Sequence, residues 1–199
     1  WGRFFIAVAR PFKVASVTHE AQGVTSVLLT GKNLGRHRAL AGQFYLLRQV
    51  KAGRWWQANP FSLSSVPTSE GLRFTIKSRG EASDAMTKIR VGTRVIAEGP
   101  YGVCTPDLVG SKKAFLVAGG VGIGPIISYL EHLTFSSEPI VIYRAHSNDE
   151  LAHLDEIEAL VNARNGKLHT LIGPRASIKY ADPFAPHILK KLAADISNR

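Results

Sequence analysis

The residues best suited to chemistry fall into a few short runs. In Ala118-Gly119-Gly120-Val121-Gly122-Ile123-Gly124-Pro125 the glycines stand between an apolar stretch and a helical one. Such a turn lets the backbone of a dinucleotide approach closely, and the unpaired amides of the helix start favour its phosphates. The run does not fit G-x-G-x-x-G, because Pro125 and Ile127 occupy the places a third glycine would need, and it lacks the Gly-Lys-Ser/Thr of a nucleoside triphosphatase. A second run, Thr75-Ile76-Lys77-Ser78-Arg79-Gly80-Glu81-Ala82-Ser83, takes a strand through a glycine turn into a short helix. There Gly80, Ala82 and Ser83 offer amides and a hydroxyl to a phosphate, although a hairpin exit with a helix cap explains Gly80 and Ser83 equally well. A third, Asn59-Pro60-Phe61-Ser62-Leu63-Ser64-Ser65, reads by itself as an apolar strand with serines, its entry fixed by Pro60. In Tyr143-Arg144-Ala145-His146-Ser147 no acidic residue ends the strand, and Arg144 and Ser147 suit a ribose phosphate; an ordinary surface arginine is the other reading.

Two regimes of periodicity must position these runs. From Pro11 to about Asp107, short alternating stretches are broken by turn residues: Val14 and Val17, then Val24, Val27 and Leu29, residues 42–48, 61–66, 72–77 and 94–97. A small antiparallel barrel follows, with one helix over residues 83–89. Beyond Gly110 the pattern is βαβαβα. Apolar strands at 114–118 (buried on both faces), 139–143 and 167–172 alternate with helices at 124–133, 149–163 and about 186–194, the second capped by Asn148 or Asp149. Glu98-Gly99-Pro100-Tyr101-Gly102 is a turn between the halves. Cys104 is expected to be a small buried side chain, and His146, His153 and His169, without metal-ligand spacing, surface or helix-face residues.

Composition narrows the function classes. With 199 residues, 45% of them apolar, the chain can bury one large core or two small ones, and two is the starting expectation. A single cysteine excludes an intrachain disulfide framework or a thiolate-held iron–sulfur cluster and suits a reducing compartment. The net charge of +10 suits an anionic ligand; Lys112–Lys113 and Lys190–Lys191 are only pairs, so nucleic acid is not expected. No stretch of about 18 apolar residues spans a membrane. Residues 1–10 (WGRFFIAVAR) are aromatic and basic, as at the end of a membrane helix, or else a linker or first strand.

Taken in chain order, the runs resemble the ferredoxin–NADP reductase superfamily. Asn59 to Ser62 is similar to the family's Arg-x-Tyr-Ser-like strand along the flavin. That implies Phe61 packed on the isoalloxazine or ribityl and Ser62, the candidate catalytic residue, beside N5, an atom that gains a proton on reduction. The resemblance also implies that Thr75, Ile76, Lys77, Gly80, Ala82 and Ser83 border FAD and its pyrophosphate, with Tyr101 stacked on the adenine. Gly119, Gly120, Val121, Gly122 and Pro125 look like the family's Gly-Gly-x-Gly-Ile-Thr/Ala-Pro, which borders nicotinamide, and Arg144 and Ser147 favour NADPH over NADH. Two departures stand out. Asn59 replaces Arg or His, weakening the pyrophosphate grip, and Gly124 replaces Thr or Ala.

The implied architecture is β followed by α/β: residues 1–10 a linker or membrane-proximal segment, 11–108 a six-stranded FAD-binding β-barrel, and 109–199 a parallel NAD(P)-binding unit. The family's further strand ending in Cys-Gly-Pro is absent after Arg199, so an incomplete C-terminus is expected, with the 114–118 strand an exposed edge if the order is 3-2-1-4-5. The implied activity takes hydride from NADPH or NADH onto FAD and passes single electrons to a haem or other acceptor. Arg54-Trp55-Trp56-Gln57 points to the branch of ferric reductase-like and NADPH oxidase-like membrane proteins, with a haem-bearing transmembrane partner. This portion itself would be soluble, at the cytoplasmic face. The alternatives are a soluble reductase component serving an iron–sulfur partner, a non-catalytic FAD-binding electron-transfer subunit, or a basic anion-binding module without flavin.

Overall fold

The computed structural model describes residues 11–32, 34, 39–50, 56–106, 113–174 and 185–195. The expectations for residues 1–10 and for Trp55 lie outside them. Alternating side chains build six strands: β1 (Phe12–Ala21), β2 (Val24–Thr30), β3 (Phe44–Gln49), β4 (Asn59–Ser62), β5 (Leu72–Lys77) and β6 (Arg94–Tyr101). They form one antiparallel sheet in the order β4-β3-β6-β1-β2-β5. Its two outer strands approach each other through a bridge between Leu63 and Phe74, and the Ser64 N–H donates to the Arg73 carbonyl at 2.8 Å. The sheet therefore rolls around a core of Leu29, Tyr45, Leu47, Leu63, Leu72, Phe74 and Ile76, each at most 1% exposed. Removing such side chains from water is the main stabilising term, roughly 1.5–3 kcal/mol apiece.

Between β5 and β6 lies helix α1 (Glu81–Thr87), starting two residues earlier than its sequence suggests. The segment 98–102 is not a free turn. β6 runs through it, because Tyr101 and Glu98 find backbone partners in Phe44 and Leu46 of β3.

The second sheet is parallel, with order β7-β8-β9 for β7 (Phe115–Gly119), β8 (Ile140–Ala145) and β9 (Lys167–Ile172). Helices α2 (Ile123–His132) and α3 (Leu154–Asn162) bury Ile123, Ile127, Leu130, Ile157 and Val161 against Val141 and Tyr143. A last helix, α4 (Pro186–Leu192), opens on a proline, which its first turn tolerates. Two expectations change here. β7 is not buried on both faces: among the described residues it ends the strand order, as a 3-2-1 order places it, and Val117 is exposed. The helix expected over 149–163 is broken into a 3₁₀ turn (Asn148–Glu150) and α3, whose N-cap is His153, not Asn148 or Asp149. Among the described residues no helix is long and apolar enough to cross a membrane.

Candidate functional site

The two sheets meet along β5. Leu72, Phe74 and Ile76 point into the rolled sheet, so the pleat sends Arg73, Thr75 and Lys77 the other way. Each finds a partner between the 3₁₀ turn and the first turn of α3. Arg73 Nη2 lies 2.7 Å from Glu156 Oε1, Thr75 Oγ1 2.9 Å from His153 Nε2, and Lys77 Nζ 3.2 Å from Glu150 Oε2. A period of two on the strand thus meets a period of three on the facing segment. The Gln22 N–H, donating to the Asp149 carbonyl at 3.0 Å, adds a backbone tie. Burial opposes ionisation of Glu156, but hydrogen bonds from His153 and Arg73 outweigh it and hold its carboxyl below the ordinary range; the Lys77 hydrogen bond lowers Glu150 likewise.

The glycine run completes the junction. β7 passes into a 3₁₀ turn (Gly120–Gly122) and then α2. Gly120 has φ +53, a left-handed conformation that side chains with a Cβ resist. A Cβ at Gly119, Gly120 or Gly122 would meet no protein atom within 4 Å, so the turn faces open space. Gly124 is the opposite case. A Cβ there would stand 3.2 Å from Ser64 Cβ and 3.6 Å from Thr75 Cβ, so its bare backbone lets the first turn of α2 rest on the end of the β4 segment and on β5. Ser64 is fully buried, and its Oγ has no hydrogen-bond partner. Nearby, the Val66 N–H donates to Glu131 Oε2 at 2.5 Å, and the Gly42 N–H to Ser128 Oγ at 3.3 Å. Burial raises the Glu131 carboxyl.

At the other end of β4, Asn59 and Ala82 line one small cleft with Gln57, Leu47 and Met86. Past Gln49 and Ala85 the cleft continues into an open groove of about 780 Å³ beside α1.

No family model matches the chain. A flavohemoprotein of Candida norvegensis is 26% identical over 170 residues, which are 79% of this chain and 42% of that protein. The chain thus spans less than half the length of this relative. Among solved structures, ferredoxin-NADP+ reductase from Plasmodium falciparum superimposes with a TM-score of 0.71 at 16% identity, over 94% of this chain and 78% of that one. The flavohem-like FAD/NAD binding domain of nitric oxide dioxygenase from Vibrio cholerae O1 biovar El Tor gives 0.66 at 18% identity, over 93% and 92%. The chain has the ferredoxin–NADP reductase-like fold.

Within this ferredoxin–NADP reductase-like fold the residues singled out by sequence divide into three groups. Asn59, Pro60, Phe61 and Ser62 form β4, with Asn59 and Ser62 half-buried, Pro60 exposed and Phe61 packed partly against the core. Gly119, Gly120, Val121, Gly122 and Pro125 form the second group, with Arg144 directly beside Gly119 in the parallel register. Arg144 Nη2 donates to the Gly173 carbonyl at 3.4 Å, and Ser147 stands at the N-cap position of the 3₁₀ turn that follows, its side chain making no cap hydrogen bond. The side chains of the third group have partners within the protein. Thr75 spends its hydroxyl on His153 and Ser26, Ile76 is in the core, and Lys77 pairs with Glu150. Ser83 Oγ accepts the Arg79 and Gly80 N–H groups at 2.9 and 3.0 Å, so it closes its own turn beside Gly80. Tyr101 packs on Phe44 and donates to Glu98 Oε1 at 2.5 Å. Through Phe44 it lies across from Ser62, away from the Asn59–Ala82 cleft.

Cys104 is exposed, not buried. His169 is half-buried on β9, and His153 is buried at the junction, not on a surface. His153, Glu150, Glu156 and Ser64 were missed by the sequence reading. The alternating polar residues of β5 were the one available signal, and they read equally well as a solvated face.

Proposed function

We propose that this part of the protein is an FAD-dependent NAD(P)H oxidoreductase module. The approach of Gly124 to Ser64 carries the reading, because it brings the glycine turn and the Asn59–Ser65 segment into one junction. FAD, when bound, supplies hydride acceptance from NAD(P)H and release of single electrons. The chain's own residues supply the rest. Phe61 and Ser62 border the flavin ring on β4. Asn59 and the Ala82 region hold the pyrophosphate in their cleft, and the adjoining groove accommodates the rest of an elongated ligand. The open turn at Gly119, Gly120, Val121 and Gly122 admits the nicotinamide nucleotide, and Arg144 beside it favours a 2′-phosphate and hence NADPH. The fold likeness to an FAD/NAD binding domain and the sequence likeness to a flavohemoprotein support this reading and a haem as the one-electron acceptor. The narrower setting, a ferric reductase-like or NADPH oxidase-like membrane protein with this part at its cytoplasmic face, is supported by exposed Trp56 next to Arg54-Trp55 and by the aromatic, basic residues 1–10.

An absorbance titration with FAD, followed anaerobically by NADPH and then NADH, tests the proposal. A flavin spectrum bleached faster by NADPH is expected, and a chain that takes up no FAD overturns it. Asn59→Arg is a sharper case. Asn59 is neutral, and the first turn of α1 carries Glu81 and Asp84, which repel a diphosphate. A guanidinium adds a charged two-pronged donor, so FAD affinity by fluorescence quenching should rise about tenfold.

A further inference from the structure

We infer that His153 is a positioning residue for the hydride transfer proposed above, acting through Thr75 to fix where the glycine turn stands against β4 and β5. The inference rests on that proposed function.

The backbone of His153 is left-handed, φ +59, which a residue with a Cβ adopts only where its surroundings hold it there. Although it is the N-cap of α3, its side chain makes no cap hydrogen bond. The ring, 3% exposed, reaches into the antiparallel sheet instead. Nδ1 lies 2.9 Å from Glu156 Oε2 and 3.6 Å from Glu20 Oε2. Carboxylates only accept, so Nδ1 carries the proton. In the neutral ring Nε2 is then an acceptor, 2.9 Å from the Thr75 hydroxyl of β5 and 3.2 Å from the Ser26 hydroxyl of β2. Those two hydroxyls are themselves 3.1 Å apart. One flat side chain thus joins α3 to three strands of the other sheet.

Thr75 passes the constraint on. Its Cβ lies 3.6 Å from the place of a Cβ on Gly124, two residues beyond the glycine turn. The flanking pairs, Arg73 with Glu156 and Lys77 with Glu150, use long flexible side chains that keep their contacts over a range of separations. The imidazole has two torsions and is packed on all sides, so it fixes the separation. Rates of transfer between two bound groups are sensitive to displacements of about 1 Å.

The test uses His153→Gly, which removes the ring and suits the left-handed backbone, and Thr75→Val, which removes the hydroxyl from the other side. Amide hydrogen exchange without cofactor is expected to accelerate over residues 120–127 in both variants. With FAD and NADPH, the limiting rate of flavin reduction should fall about tenfold while the KM for NADPH stays within about twofold. The double variant should be no slower than the worse single one, since both changes break one link. Unchanged exchange and an unchanged limiting rate in both single variants overturn the inference and leave the proposed function standing. If the parent chain binds FAD and NADPH does not reduce it, the proposed function fails, and the positioning of a hydride transfer fails with it.

Discussion

Gly120→Val is expected to slow NADPH-driven flavin reduction by more than about 100-fold while FAD still binds. Directly after β7 the backbone becomes left-handed at Gly120, and a β-branched side chain there costs about 1–2 kcal/mol before any ligand arrives. No steric clash adds to that strain, because a Cβ at Gly120 meets no protein atom within 4 Å. What the side chain fills is the open space through which a dinucleotide would reach the amides of the turn. Stopped-flow absorbance separates the two effects: the flavin spectrum persists, its bleaching by NADPH is lost, and melting shifts only modestly.

Arg73→Met should cost about 2–3 kcal/mol of stability, read as a lower denaturation midpoint with unchanged slope. The guanidinium bonds Glu156 through two nitrogens, lies 3.9 Å from Glu131, and donates to the Ser64 carbonyl at 2.5 Å. Methionine keeps the packed stem but leaves two part-buried carboxylates without their cation and the carbonyl without its donor. Acid acts on Glu156 as well, and on two further carboxylates. Glu156, Glu150 and Glu98 have lowered folded-state pKa values, the last chiefly through the Tyr101 hydroxyl. A group shifted this way adds stability above its unfolded value, lost as pH falls through the folded one. Glu131, raised by burial, runs in the opposite sense and takes up its proton first. The melting temperature should therefore hold on mild acidification and fall steeply below about pH 4.

Much of this architecture can be read from residue spacing. β9 occupies the residues its pattern suggests, and the change from alternation to βα repeats falls where the second sheet begins. The glycine run likewise lies between strand and helix. What spacing cannot carry is contact between distant segments. Leu151 and Leu154 fit a helical period, yet the chain leaves the helix at 151–153, because the ring of His153 gains partners at Ser26 and Thr75, 127 and 78 residues away. Gly124 looked like a lost hydroxyl or methyl; the need for close approach to Ser64 became visible only in three dimensions. An apolar strand by itself suggests burial on both faces; only the strand order decides that β7 stands at an edge, as the 3-2-1 order implies.

Anaerobic reduction of the FAD-loaded protein by NADPH, run in parallel with NADPH deuterated at the transferred position, tests most directly whether the glycine turn and the β4 strand serve one reaction. The expected result is bleaching of the flavin that deuterium slows. A bound flavin whose spectrum neither nicotinamide nucleotide changes would contradict the account.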